Sequence, residues 1–178
     1  GVWADRPEES IAILTKGMQH NPTVWELPFY VGYDYFYVLN QPGAAAKYFQ
    51  IASELPGAPE YLPRLAARMS VEVGDHDAAL EFLQRLYAQT KDERLREGLQ
   101  RRILEVQAER GIRQLEEAVQ RYAKRFGKGP KKLEDLVARG FLSELPVEPL
   151  GGRYELDAAR GTVTGTGLRE RLRVHRHS

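Results

Sequence analysis

The chain has 178 residues, 42% of them hydrophobic and 29% charged, the balance of an ordinary soluble protein with room for a repeat array and a small extra domain. Its formal charge of 26 − 25 = +1 supplies no global field for nucleic acid or an anionic membrane. The absence of cysteine excludes disulfides, thiolate catalysis and Cys-based zinc sites. No segment approaches the apolar length of a membrane span. Gly1-Val2-Trp3 leads at once into Asp5 and Arg6, which is not the form of a signal peptide. The chain begins without Met and close to the helix of an incomplete repeat. It therefore reads as a processed or truncated piece, open to an upstream anchor.

Pro7-Glu8-Glu9 has the form of a first helical turn, with Ile11, Leu14 and Met18 following at helical spacing. Asn21-Pro22 stops that helix. A second helix is expected over about 24–39, a third over 42–54, a fourth over 59–73 and a fifth over 76–89. Gly74-Asp75 separates the last two, with Asp75 or Asp77 as a cap. Leu95, Leu99, Ile103 and Val106, then Ile112, Leu115, Val119, Tyr122 and Phe126, keep helical spacing through 92–126. Gly111 is either a hinge between two helices or part of one. The pattern changes at Gly127-Lys128-Gly129-Pro130. A short helix is predicted over 132–139, ended by Gly140. Leu145-Pro146-Val147-Glu148-Pro149 must be extended, because each Pro disfavours helix at the residue before it. Arg153–Leu156 and Gly161–Thr164 read as two short strands around a turn at 157–160.

Several of these features recur 34 residues apart. Ala44-Ala45 returns as Ala78-Ala79, Tyr48 as Phe82, Phe49 as Leu83, Pro22 as Pro56, and Gly32 as Ala66. Asn40-Gln41 and the helix-breaking pair Gly74-Asp75 occupy the same place in two successive units. Small residues stand where two helices would cross closely, with large ones between. A period of 34 marks stacked helical hairpins. The pattern resembles the tetratricopeptide repeat family over about residues 5–126, with two well-matched repeats, a preceding half-repeat matched by Ser10, Leu14 and Pro22, and a degenerate third at 93–126. Pro28 and Leu62 depart from it, standing where the family has a bulky aromatic.

The resemblance implies a groove lined by the first helix of each hairpin. On the family pattern Glu26, Phe29, Tyr33 and Phe36 face it, with Tyr37 at its edge. Glu60, Pro63, Ala67 and Ser70 follow in the next repeat, and Arg94, Glu97 and Arg101 in the third. Residues 25–37 hold seven aromatics, more than one core face of one helix can hide. Tyr and Trp anchor interfaces well. The candidate partner-binding residues are therefore Phe29, Tyr33, Phe36 and Tyr37, with Arg101 as a charge clamp.

A second resemblance covers residues 122–164. Phe126-Gly127, Pro130, Gly140-Phe141-Leu142, Leu145-Pro146, Pro149, Gly151-Gly152 and Tyr154 are similar to the end of type II secretion pseudopilins, although Leu150 replaces the usual Trp. The hydrophobic helix that polymerises pilins is absent from this chain. Some pseudopilins bind calcium near this loop. Here only Glu148, Glu155 and Asp157 are at hand, short of the six to eight oxygens that calcium takes. The module then reads as a cap on the repeat stack.

Catalytic chemistry is not evident. His20, His76, His175 and His177 have no metal-ligand spacing, and Ser10, Ser53, Ser70 and Ser143 have no paired histidine. Gly161–Gly167 lacks the Lys of a phosphate loop. Arg169, Arg171, Arg173 and Arg176 lie in a basic tail without an aromatic nucleic-acid reader.

The expectation is a mostly α protein: a tetratricopeptide-type solenoid over 1–126, a helix-plus-hairpin module over 127–165, and a disordered basic tail over 166–178. It is expected to be a non-enzymatic scaffold with no cofactor, no metal and no nucleic-acid partner. It would bind a protein or peptide in its groove. The pseudopilin resemblance implies a bacterial envelope setting near a secretion or pilus-type assembly, with the cytoplasm as the other compartment. The alternative is a structural subunit buried permanently in an obligate complex.

Overall fold

The structure, a computed structural model, describes residues 6–169 and 171–172. It is mostly helical, with one small antiparallel sheet among the described residues. The helices are α1 (Pro7–His20), α2 (Glu26–Tyr33), α3 (Pro42–Ser53), α4 (Leu62–Glu72), α5 (His76–Gln89), α6 (Glu93–Phe126) and α7 (Glu134–Ala138). A π-helical turn, Asp34–Val38, extends α2. The strands are β1 (Tyr154–Asp157) and β2 (Thr162–Gly165).

The chain divides into two compact units, residues 6–102 with Leu172 and Ile103–Arg171. The sequence placed the boundary at Gly127. The structure moves it into α6, for a physical reason. Residues 103–126 supply Ile112, Leu115, Ala118 and Val119 to the same core as Leu133, Leu136 and Val163. The change of composition at Gly127 (φ 75°) ends a helix, not a unit.

In the first unit each helix from α1 to α5 packs on the next in sequence. The 34-residue spacing appears as burial. Pro28 and Leu62, Gly32 and Ala66, Phe36 and Ser70, Ala45 and Ala79, and Phe49 and Leu83 are all buried pairs. The turns correspond too. Asn40 (φ 55°) and Gly74 (φ 79°) both adopt the left-handed conformation that ends a helix. Asp75 then caps α5, accepting from the backbone N–H of Ala78 at 3.1 Å, as the sequence suggested. Ser10 donates to Asp34 at 2.7 Å and ties α1 to the π-helical turn. Beyond α5, Arg96 donates to the carbonyls of Tyr87 and Thr90, both at 3.0 Å, and lies over the Tyr87 ring. These bonds satisfy carbonyls at the end of α5, which have no partner within the helix.

Helices α2 and α3 approach closely at Gly32. A Cβ there would stand 2.9 Å and 3.0 Å from two carbons of the Phe49 ring. Phe49 is itself 1% exposed, so it has little room to move.

In the second unit Gly111 is continuous helix, which resolves the choice left open by the sequence. The Tyr154 ring lies against it, and a Cβ at Gly111 would collide with the Tyr154 hydroxyl and its attached ring carbon. That hydroxyl donates to the Ala108 carbonyl at 3.2 Å. The hairpin register pairs Tyr154 with Gly165 and Leu156 with Val163. The Val163 N–H donates to Glu116 on α6. The loop before β1 closes around Glu148, which is 5% exposed. Its carboxylate accepts from the backbone N–H groups of Leu150 (2.6 Å), Gly152 (2.7 Å) and Gly167 (3.1 Å). Glu148 therefore organises the Pro146–Tyr154 loop from within.

The tail departs from expectation: Thr166 and Gly167 are hydrogen-bonded to the hairpin and its loop, and Leu168 packs on the second unit's core. Arg171 forms a two-pronged pair with Glu109, at 2.7 Å and 2.8 Å, and Leu172 is 2% exposed. The hydrogen bond to Glu109 raises the Arg171 pKa, with burial opposing it. Arg173, His175, Arg176 and His177 lie outside the described residues.

Two predictions follow from the glycine contacts. Gly32→Leu should destabilise the first unit by about 1–3 kcal/mol, the cost of overpacking a filled core. Thermal unfolding checks this, and an unchanged midpoint would show that α2 and α3 can separate freely. The second concerns Tyr154. Burial, then Glu148 and Glu109, push its pKa from 10.0 up to about 12. The folded state therefore favours the neutral phenol. Its contribution to stability is complete below about pH 10 and is lost as the pH rises towards 12. Denaturant unfolding from pH 9 to 12 should show a steeper loss in wild type than in Tyr154→Phe.

Candidate functional site

Two surface features of the first unit hold groups suited to binding. The first is on α2. Tyr30, Tyr33 and Tyr37 are 53%, 44% and 64% exposed. Their spacing, i, i+3 and i+7, draws one line along the helix. Tyr33 and Tyr37 lie ring against ring, 4.5 Å between centroids. The other aromatics of the cluster turn the opposite way. Phe36 is 3% exposed. Phe29 is half-buried, 5.6 Å from Phe49. Trp25 packs edge-on to Phe29, and Tyr35 stacks on Tyr48 at 5.5 Å.

Phe36 therefore departs from the expectation of a groove anchor. In a regular α-helix it would share a face with Tyr33, three residues earlier. The π-helical turn widens the backbone at Asp34–Val38, where Leu39 N–H reaches back five residues to the Asp34 carbonyl at 3.0 Å. A π turn advances each residue by a smaller angle than an α turn. Phe36 ends up in the core while Tyr37 faces out beside Tyr33. Tyr30 belongs to the exposed line and was missed, although its spacing from Tyr33 and Tyr37 is visible in sequence.

The second feature is a cleft of about 540 Å³. It lies among the end of α3, the α3–α4 connection, the start of α4, the end of α5 and the first turns of α6. Three arginines line it, Arg64, Arg94 and Arg102, against one carboxylate, Glu60. Glu60 and Arg94 stand 34 residues apart and pair at 2.8 Å, both largely exposed. Leucine and proline side chains form the apolar walls, with the exposed ring of Tyr61 among them.

The groove residues of the sequence reading divide here. Glu60, Pro63 and Arg94 do come together, in the cleft. Ala67 and Ser70 are 1% and 3% exposed and belong to the core. Arg101 is exposed but does not line the cleft; its neighbour Arg102 does. The signal for Arg102 was present in sequence, since Arg94, Gly98 and Arg102 recur every four residues on one face of α6. No group of three His, Cys, Asp or Glu side chains able to hold a metal ion occurs among the described residues. No helix there is long and apolar enough to cross a membrane.

No family model, curated protein or solved structure matches this chain.

Gly98 separates packing from binding. A Cβ added to it meets nothing within 4 Å, so no neighbour requires a glycine there. Glycine inside a helix costs about 0.5–1 kcal/mol relative to alanine. Gly98→Ala should therefore stabilise the protein by up to about that amount. A fall in the unfolding midpoint would show instead that the backbone at 98 needs glycine.

Proposed function

We propose that this chain is a non-catalytic scaffold for protein–protein interaction, built on a tetratricopeptide-type helical array. Its partner contacts run along the α2 tyrosine line. The observation that carries the reading is the exposure of three tyrosines at helical spacing in a helix whose other aromatics are packed. Tyr30 and Tyr37 touch Phe29 and Phe36 edge-on, yet all three tyrosines keep a large exposed area. Tyrosine offers a partner a large contact area with few rotatable bonds to immobilise. The 34-residue spacing of buried positions supports the repeat reading. The pseudopilin-like ending supports a place in the bacterial envelope, near a secretion or pilus-type assembly.

The test places a photo-crosslinking phenylalanine at Tyr33 and Tyr37, and at exposed Glu81 on α5 as a control. Irradiation in the native host should give one discrete adduct from positions 33 and 37 and none from 81. Tyr33→Ala and Tyr37→Ala should each weaken capture of that partner by about 2 kcal/mol if the side chain is an anchor. Their stability should stay within about 0.5 kcal/mol of wild type, as at other exposed sites. Phe36→Ala should unfold the protein far more readily, by about 3–5 kcal/mol. Adducts from 33 and 37 no more discrete than from 81 would overturn the tyrosine line as the binding surface.

A further inference from the structure

We propose that the cleft over Gly98 is a binding site for an organic anion, a carboxylate or phosphate group carried on an apolar body. This ligand does not depend on the tyrosine line. Three observations converge. The chain as a whole is nearly neutral, yet this one cleft gathers three arginines against one glutamate. Guanidinium groups suit carboxylate and phosphate because their N–H donors match both oxygens of the anion. The volume of about 540 Å³ lies in the range of small-ligand sites. Its leucine and proline walls suit an apolar body, not a bare inorganic ion.

The third observation is Gly98. It lies between Arg94 and Arg102 on the cleft-lining face of α6, at one-turn intervals. Its missing side chain leaves open space, and that space is part of the cleft. Any larger residue would project between the two arginines. The helix thus carries a destabilising residue at a place where a side chain would enter the cleft between two arginines.

Arg94 can be recruited at little cost. Its bridge to Glu60 is solvent-exposed on both sides, 77% and 66%, and such pairs contribute little to stability. Arg64 and Arg102 each keep an interaction within the chain and line the cleft beside Arg94. Glu60 opposes the anion, so its removal should tighten binding.

The test is a nuclear magnetic resonance titration of the full chain with octanoate, octyl phosphate and neutral octanamide, and with the capped peptide acetyl-Leu-Glu-Leu-amide. The anionic probes should shift the Gly98 amide saturably, and octanamide should bind about tenfold more weakly or worse. Glu60→Gln should tighten the anionic probes. Gly98→Phe should remain folded and lose them. A peptide that binds more tightly than octanoate and octyl phosphate would identify a partner's acidic side chain as the source of the anion. Tighter free probes would identify a small molecule. Equal binding of octanamide and octanoate would overturn the proposal. So would binding that survives in a folded Gly98→Phe variant. Tyr33→Ala and Tyr37→Ala should leave every titration unchanged, which keeps failure here separate from failure of the scaffold reading.

Discussion

The first unit depends on how closely α2 can approach α3. Gly32 allows the Phe49 ring to come closer to the α2 backbone than a β-carbon would permit, and this close contact constrains the rotation of α2 about its axis. Once that rotation is set, Val31 and Pro28 must point inward and Tyr30 and Tyr33 must point away. Thirty-four residues later Ala66 and Leu83 take the corresponding places, and both are fully buried. The exposed tyrosine line is thus a consequence of a packing constraint on the opposite side of the helix. A looser crossing would let α2 roll and bury part of that line.

Much of this was legible because repetition is a property of sequence. Small residues at 32, 45, 66 and 79 and left-handed turns at Asn40 and Gly74 reflect two hairpins solving the same steric problem. What repetition could not show was the point where one hairpin differs from its successor. The π-helical turn at Asp34–Val38 has no composition of its own; it is made by displaced backbone hydrogen bonds, among them Leu39 N–H to the Asp34 carbonyl and Gln41 N–H to the Tyr35 carbonyl. That displacement reassigned Phe36 from surface to core. The basic tail misled in a similar way. Arg171 has the composition of a solvated tail, but its guanidinium finds Glu109, which is 3% exposed in its side chain. A buried carboxylate is costly without a partner, and the partner lies 62 residues further along the chain. No local reading of either residue reveals the pair.

Helix α6 shows why glycines in one helix need separate explanations. Gly111 and Gly98 carry the same intrinsic penalty relative to alanine. At Gly111 the penalty is offset inside the protein. The absent β-carbon lets Tyr154 bring its hydroxyl onto the Ala108 carbonyl, fixing the hairpin to the helix. Restoring a side chain there would trade a small gain in helix propensity for a steric collision and a lost hydrogen bond. At Gly98 nothing inside the protein provides an offset, because the position faces open space.

That contrast separates a residue that folding requires from one that folding tolerates. Had Gly98 lain on an open surface away from any feature, it would be no more than a weak point in the helix. It lies instead on the floor of a cleft, between two arginines, in a chain with almost no net charge to spare. Arg94 is held through an exposed pair with Glu60, and Arg102 keeps an interaction within the chain. The arrangement leaves cationic groups around a space kept free of side chains. An anion entering there would exchange water at the arginines for charge-assisted hydrogen bonds and cover apolar walls that are otherwise wetted. Stability would then depend on occupancy, since a ligand that binds only the folded form adds to stability by mass action, while a side chain at 98 would add to it without ligand. The same residue therefore makes the empty protein less stable and the cleft accessible.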